Sequence, residues 1–193
     1  MSAAWQFCAK EPLDALQDTP PSIWVRRFLP LLRPKGRVLD LAAGRGRHTR
    51  LLREAGHKVI AVDRDTAPLR AAWSGDSLCE IIEMDLEKGA PWGLGHGYDG
   101  IIVTNYLHRP LLPALAPALA QGGVLIYATF MVGQERFGRP TNPDFLLRPG
   151  ELLAAFIYRL AIVAFEQGEA RTPNPAMVQR IAAVNGEIGR LPQ

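Results

Sequence analysis

The stretch of residues 38–65, VLDLAAGRGRHTRLLREAGHKVIAVDRD, decides the fold of this 193-residue chain. It overlaps a short apolar run, RVLDLAA, which predicts a strand over residues 37–43. A second run, KVIAV, is rich in β-branched residues and predicts a strand over 58–62. Residues 47–55 between them are predicted to form a helix, which Gly56 ends. A strand, a helix and a strand in this order predict a βαβ unit of a parallel sheet.

The same alternation continues on both sides of this unit. Pro and Gly positions and apolar spacing predict helices over 23–32, 66–73, 110–120 and 149–156, and strands over 78–84, 98–104 and 124–130. Ser22 is the predicted N-cap of the first helix. Pro117 should kink the helix of 110–120 or delay its start, and Gly122 and Gly123 should end it. A long irregular loop, of a length that is usually functional, is predicted over 131–148.

The last two predicted strands, 160–166 and 177–184, are separated by a loop that contains RTPNP at 171–175. This loop is too short to hold a crossover helix, so the two strands should pair as an antiparallel hairpin. The predicted fold class is therefore α/β: a Rossmann-like, doubly wound, mostly parallel seven-stranded sheet with a C-terminal antiparallel hairpin. We expect one domain over residues 1–193, with 1–21 as an N-terminal extension.

Composition excludes several classes of protein. Hydrophobic residues make up 48% of the chain and charged residues 21%, which is too apolar for a disordered chain. A net charge of +3 and a pI near 9.1 permit an anionic partner but do not require one. Two cysteines cannot build a disulfide framework, and the four histidines lack zinc-ligand spacing, so no metal site is expected. Without a signal sequence or a long apolar run, we expect no membrane contact and a cytoplasmic location.

Three acidic residues end successive predicted strands. Asp40 lies in the first, Asp63 follows the second and Asp85 follows the third. Asp63 comes about 20 positions after Gly44, where nucleotide sites place the carboxylate that binds ribose. In a doubly wound sheet, ligands bind beyond the carboxyl ends of the strands. One such residue is ordinary at a surface, but three in succession predict a nucleotide site.

The nature of the nucleotide follows from two positions. Thr49 stands where the dinucleotide fingerprint has its third glycine. The carboxylate of Asp40 would repel a pyrophosphate but suits a ligand with positive charge, such as the sulfonium and amino group of S-adenosylmethionine. Both features disfavour the alternative of a nicotinamide oxidoreductase.

Residues 38–65 resemble motif I and the second strand of class I S-adenosylmethionine-dependent methyltransferases, most closely the small bacterial tellurite-resistance and thiopurine type. The resemblance extends through Asp85, residues 98–105 (YDGIIVTN) and Gly122-Gly123, and covers roughly 22–185. Ala43 departs from the family, which often has Cys or Ser there.

The resemblance implies a role for each matching position. Gly44 and Gly46 would face the methionine moiety, and Asp40 would orient its amino group directly or through water. Asp63 would bind ribose and Asp85 adenine, while the Leu86 backbone N–H would donate to an adenine ring nitrogen. Asn105 would lie near the methionine end and the transferred methyl group. The whole expected cofactor set is Asp40, Ala42, Gly44, Gly46, Asp63, Arg64, Asp85, Leu86 and Asn105.

The acceptor side is less specific. His108 is the candidate general base, with helix capping or packing as the alternative, and Tyr106 is a second catalytic candidate or a pocket wall. Arg109, Arg136 and Arg139 could bind an anionic acceptor, or they could belong to a solvated loop.

The function predicted is methyl transfer from S-adenosylmethionine, giving S-adenosylhomocysteine, to a small molecule that the sequence does not identify. An RNA methyltransferase is one alternative, because Arg45, Arg47, Arg50 and Arg53 could contact phosphates; they could equally be the solvated face of a helix. A non-catalytic S-adenosylmethionine-binding protein is another.

Overall fold

A computed structural model describes residues 19–88 and 92–188, which form one seven-stranded sheet. The first eighteen residues, and with them most of the expected N-terminal extension, lie outside the described residues. The strands are β1 (Arg37–Leu41), β2 (Lys58–Asp63), β3 (Cys79–Glu83), β4 (Tyr98–Thr104), β5 (Leu119–Phe130), β6 (Ala161–Ala170) and β7 (Ala176–Val184).

The strand order is β3-β2-β1-β4-β5-β7-β6. The five strands from β1 to β5 pair in parallel, and β7 lies antiparallel between β5 and β6. The order reverses between β1 and β4, which is the switch point where such sheets bind ligands. The predicted fold class, with its C-terminal antiparallel hairpin, is therefore confirmed.

Within the described residues, α1 (Ile23–Phe28) precedes β1, and four short α-helices connect strands: α2 (Arg47–Glu54), α3 (Ala67–Trp73), α4 (Leu112–Ala118) and α5 (Glu151–Phe156). Ser22 is the N-cap of α1 as predicted, since its hydroxyl accepts from the Trp24 backbone N–H at 3.2 Å. The buried Trp24 indole donates to the Ile181 carbonyl at 3.2 Å and thereby fixes α1 on the sheet. The start of α1 is thus held at a defined place beside the strands.

The region around Pro117 differs from the prediction. Pro117 lies in the last turn of α4, and β5 begins at Leu119, several residues before the predicted start. Gly122 and Gly123 do not end the helix but lie inside β5, where the pairing with β4 shifts between Tyr98 and Gly100. Gly122 has a φ of +77°, so a glycine is what allows this irregular stretch to remain within the strand.

The segment 131–148 is more ordered than the irregular loop predicted. It contains two single-turn 3₁₀ helices, Gln134–Arg136 and Pro143–Phe145, and its ends meet in a bridge between Met131 and Leu147. The buried Gln134 side chain accepts from the Met177 backbone N–H at 2.9 Å. Side-chain hydrogen bonds to the backbone, which a sequence pattern does not display, hold this segment against β7.

Two negative findings concern the described part of the chain. Across 19–88 and 92–188, no helix combines the length and apolar character needed to cross a membrane. The same residues contain no group of three or more His, Cys, Asp or Glu side chains arranged to hold a metal ion.

Candidate functional site

A cavity of about 980 Å³ lies beyond the carboxyl ends of β1, β2, β3 and β4. Its volume is at the upper end of the range that small-molecule sites occupy. Most of the described residues that line it come from these strand ends and the start of α2, while Thr19, Pro68 and Arg139 come from other segments. The full set is Thr19, Ala42, Ala43, Gly44, Arg45, Arg47, His48, Asp63, Arg64, Asp65, Pro68, Met84, Asp85, Leu86, Glu87, Thr104, Asn105, Tyr106 and Arg139.

The loop between β1 and α2 forms one wall of the cavity. Ala42, Gly44 and Gly46 have φ values of +55°, +58° and +80°, so the backbone turns sharply three times within five residues. The Ala43 N–H donates to the Val62 carbonyl at 2.9 Å, which ties the loop to β2. Gly44 faces open space and lines the cavity, as its predicted role requires.

Gly46 has a different surrounding from the one predicted. A Cβ added there would lie 2.6 Å from the Trp73 ring and 2.8 Å from the Leu69 side chain. Gly46 does not line the cavity but lets α3 pack closely against the loop. Its predicted contact with the methionine moiety stays a prediction.

Asp63 stands at the end of β2 and is oriented by two backbone donors. Its Oδ2 accepts from the Gly44 N–H at 2.8 Å, and its Oδ1 accepts from the Asp65 N–H at 3.1 Å. The Asp63 carboxylate is therefore fixed at the cavity, with lone pairs left to accept from a ligand.

Asp85 occupies the equivalent place after β3. Its Oδ1 accepts from the Glu87 backbone N–H at 3.1 Å, and its Oδ2 lies 3.2 Å from the Lys88 ammonium. The backbone hydrogen bond and then Lys88 lower the pKa of Asp85, so its carboxylate is ionised at neutral pH. Arg64 and Leu86, two further members of the expected cofactor set, line the cavity beside it.

Asp40 is not among the residues that line the cavity. It is buried, and its carboxylate accepts from the Thr49 hydroxyl at 2.6 Å. Burial raises the pKa of Asp40 to about 6, against the opposing effects of Thr49 and Arg47. Asp40 thus supports α2, and its role toward a ligand amino group, directly or through water, stays a prediction.

The end of β4 supplies another part of the cavity wall. Asn105 has a φ of +54° and donates its N–H to the Ala128 carbonyl at 2.9 Å, so the chain turns there beside β5. Tyr106 also lines the cavity; burial, and then the charges of Glu87 and Asp85, raise the pKa of its phenol. Tyr106 is thus a neutral pocket wall at physiological pH.

Among the cavity residues that sequence reasoning missed as site residues are Arg47 and His48, in the first turn of α2, and Thr104 at the end of β4. Burial lowers the pKa of the Arg47 guanidinium, an effect that the charge of Asp40 opposes. His48 is buried and contacts Thr104, another cavity residue. The position of Arg47 and His48 could have been anticipated, since the first turn of a helix after a glycine loop faces the ligand in nucleotide-binding folds.

The predicted acceptor residues separate into different environments. His108 immediately precedes a 3₁₀ helix, Arg109–Leu111, and does not line the cavity. Arg136 stacks over the Phe137 ring at 5.4 Å and also lies away from it. Of the three predicted arginines, Arg139 alone is among the described cavity-lining residues.

Arg109 is engaged in structural contacts. Its Nε and Nη2 donate to the two Glu151 carboxylate oxygens at 2.6 and 3.0 Å. Its Nη1 and Nη2 also donate to the carbonyls of Asp144 and Leu146 at 2.7 and 2.9 Å. Arg109 therefore joins α5 to the segment 131–148, away from the cavity lining, and its role in substrate binding stays a prediction.

Comparison with solved structures places this fold among known proteins. The chain superposes on TehB from Haemophilus influenzae with a TM-score of 0.69 and 18% identity, covering 84% of this chain and 61% of that one. A TehB-like S-adenosylmethionine-dependent methyltransferase from Corynebacterium glutamicum gives a TM-score of 0.63 and 16% identity, covering 89% and 91%. The Burkholderia thailandensis 1,6-didemethyltoxoflavin-N1-methyltransferase, solved with its acceptor and S-adenosylhomocysteine, gives 0.61 and 20%, covering 85% and 76%.

At these identities the superpositions establish the fold. No protein-family model matches the chain, and no curated protein matches it in sequence. The chain spans 61% of the length of the H. influenzae protein and nearly all of the C. glutamicum one. With its strand order, its antiparallel β7 and its cavity at the carboxyl ends of the parallel strands, the protein has the fold of the class I S-adenosylmethionine-dependent methyltransferases.

Proposed function

We propose that this protein is an S-adenosylmethionine-dependent methyltransferase that acts on a small-molecule acceptor in the cytoplasm. The observation that carries the proposal is the placement of Asp63 and Asp85. Both carboxylates end neighbouring strands, and both line the same cavity beside the loop that contains Gly44. We infer that this arrangement accepts hydrogen bonds from a nucleoside, and the methyltransferase fold makes S-adenosylmethionine the nucleoside to test.

The nucleoside part of this cofactor fits the acidic side of the cavity. The Asp63 carboxylate, held by the Gly44 and Asp65 backbone N–H groups, would accept from the ribose hydroxyls. The Asp85 carboxylate would accept from the adenine amino group, and the Leu86 backbone N–H would donate to the ring. Met84 and Pro68 supply apolar surface in the same region.

The amino-acid part of the cofactor requires a cation for its carboxylate. Arg47 lines the cavity, and no ion pair joins its guanidinium to any residue in the described ranges. We therefore assign the α-carboxylate to Arg47 rather than to any residue of the predicted set. A partly buried guanidinium strengthens such a charge-assisted hydrogen bond.

When bound, S-adenosylmethionine would supply a methyl group already activated by its sulfonium. The chain's task is then to orient the two reactants and exclude water, and orientation alone can lower a barrier by roughly 7–11 kcal/mol. Asn105 and Tyr106, at the end of β4, would form the wall of the cavity next to the transferred group.

The contacts of the arginine cluster near α2 favour a small acceptor over RNA. Arg53 is paired with Asp76 at 2.7 Å, and Arg45 and Arg47 line the cavity. These side chains therefore do not form one basic face for a phosphate backbone. The B. thailandensis neighbour, solved with 1,6-didemethyltoxoflavin bound, supports a small acceptor for this fold.

Isothermal titration calorimetry tests the proposal with two ligands. S-adenosylhomocysteine should bind with one site per chain, and NAD⁺ should not bind detectably. Binding of NAD⁺ without binding of S-adenosylhomocysteine would replace the proposal with an oxidoreductase. Turnover of a candidate acceptor, followed as S-adenosylhomocysteine release, would separate an enzyme from a binding protein.

A further inference from the structure

His48 connects three elements next to the cavity. It lies in the first turn of α2, and only 2% of its surface is exposed. Its Nε2 lies 3.1 Å from the backbone nitrogen of Ser22, the N-cap of α1. Its Nδ1 lies 3.3 Å from the hydroxyl oxygen of Thr104, the last residue of β4.

These two contacts determine which ring nitrogen carries the proton. A backbone N–H can only donate, so Nε2 must accept from Ser22 and must keep its lone pair. A neutral imidazole with an unprotonated Nε2 carries its hydrogen on Nδ1. Burial, and then the positive charge of Arg47, lower the pKa of His48 to about 3, which agrees with a neutral ring.

The protonation of His48 in turn orients the Thr104 hydroxyl. Because Nδ1–H donates, the Thr104 oxygen accepts, and the hydroxyl hydrogen is left to donate in another direction. Within residues 19–88 and 92–188, no acceptor for that hydrogen is found, and Thr104 lines the cavity together with His48 and Arg47. The cavity therefore has a neutral hydrogen-bond donor at Thr104, which contacts His48, the residue that follows Arg47 in α2.

A cation and a neutral donor that line the same cavity suit a ligand group with two acceptor oxygens and a negative charge. The acidic residues Asp63 and Asp85 make the other part of the cavity unsuitable for such a group. We propose that His48 is a positioning residue, which fixes the Thr104 hydroxyl as a hydrogen-bond donor to the α-carboxylate of the cofactor's amino-acid tail, beside Arg47. This inference rests on the proposed function.

Calorimetry with two ligands of the intact chain tests the hydrogen bond. S-adenosylhomocysteine carries the carboxylate, and 5′-methylthioadenosine has the same nucleoside without the amino-acid tail. Thr104→Val removes the hydroxyl at constant shape and should weaken S-adenosylhomocysteine binding about tenfold, the size expected for a hydrogen bond to a charged group. Its affinity for 5′-methylthioadenosine should not change. Thr104→Ser keeps the hydroxyl and should bind both ligands like the wild type.

His48→Phe tests whether His48 acts through Thr104. It should weaken S-adenosylhomocysteine binding as Thr104→Val does, and the double variant should be no weaker than either single variant. Nitrogen-15 NMR of histidine-labelled wild type at pH 7 supplies a structural readout: His48 should be neutral with its proton on Nδ1. If His48→Phe does not fold, the Val and Ser variants of Thr104 and the NMR spectrum still decide the matter.

The outcomes separate this inference from the proposed function. If the wild type binds neither ligand, the proposed function fails. If it binds both, but Thr104→Val binds S-adenosylhomocysteine as tightly as Thr104→Ser, only the role of Thr104 is overturned. An Nε2-protonated or doubly protonated His48 would overturn the positioning role.

Discussion

The Asp63 carboxylate accepts a hydrogen bond from the Gly44 backbone N–H at 2.8 Å. This bond joins the end of β2 to the loop that follows β1, so the acidic residue and the glycine loop act as one unit. The Asp63 side chain orients the loop and also lines the cavity, so one residue affects both the conformation of the loop and the charge of the site. Changes in the loop should therefore affect ligand affinity and stability separately, according to which side of the loop they face.

The two glycines of this loop should respond differently to alanine. Gly44→Ala places its Cβ in open space at the cavity, so it should weaken S-adenosylhomocysteine binding and cost only about 1–2 kcal/mol of stability for the left-handed φ. Gly46→Ala, with the same strain, would also place its Cβ 2.6 Å from Trp73 and should lower the free energy of unfolding further. Urea denaturation and calorimetry of both variants measure the difference, and equal stabilities would contradict this assignment.

Ala42 is a non-glycine residue in a left-handed conformation, with a φ of +55°. Ala42→Gly should relieve about 1–2 kcal/mol of strain and lose about 0.5–1 kcal/mol to the entropy of the unfolded chain, so it should stabilise the protein slightly. Ala43→Gly is the matched control, because the buried Ala43 has no positive φ and its replacement should only destabilise. If urea denaturation shows that Ala42→Gly lowers the free energy of unfolding, backbone strain at Ala42 is contradicted.

Asp40 should make the stability depend on pH in the acidic range. The native state holds the Asp40 proton more tightly than the unfolded chain, because burial raises the pKa from 3.8 to about 6. Its contribution to stability is therefore fully present below pH 3.8 and is lost as pH rises through about 6. Relative to Asp40→Asn, the wild type should lose about 3 kcal/mol between these limits, at 1.36 kcal/mol for each pKa unit.

Urea denaturation of wild type and Asp40→Asn at a series of pH values measures this loss. The Asn side chain can still accept from the Thr49 hydroxyl, so the variant retains the buried contact without the charge. If the free energy of unfolding depends on pH in the same way in both proteins, Asp40 does not titrate as described.

Arg109 and Glu151 should couple in stability but not in ligand binding. Their bidentate ion pair is partly buried, with side-chain exposures of 35% and 20%. A double-mutant cycle with Arg109→Gln and Glu151→Gln should give a coupling energy of about 1 kcal/mol. S-adenosylhomocysteine affinity should change little in either variant; a large loss for Arg109→Gln alone would contradict a purely structural role for Arg109.

Much of the sheet could be predicted because its signals are local. Apolar runs bounded by Gly and Pro predicted β1, β2 and β4, and the spacing between Gly44 and Asp63 predicted that strand ends would bring these residues together. Parallel pairing places the carboxyl ends of the strands at one edge of the sheet. Residues that follow each strand in the sequence therefore lie close together in the structure.

The parts that sequence reasoning missed depend on distant partners. His48 lies 26 residues from Ser22 and 56 from Thr104, and Arg109 lies 42 from Glu151, so no local pattern reports these contacts. Gly122 was misinterpreted as a helix end because a glycine with positive φ serves equally well inside an irregular strand. Asp40 and Asp63 are the same residue type, and their environments differ because Asp40 is buried, which the sequence does not show.

The affinity of Asp63→Asn for S-adenosylhomocysteine is the most direct test of the central claim. An amide can still accept from the Gly44 N–H, but it lacks the charge and one of the two acceptor oxygens that the ribose hydroxyls require. Calorimetry should show affinity at least tenfold weaker than in the wild type, while the free protein should lose only the small stability that the Asp65 N–H bond contributes. Wild-type affinity in Asp63→Asn would contradict a nucleoside held by the carboxylate at the end of β2.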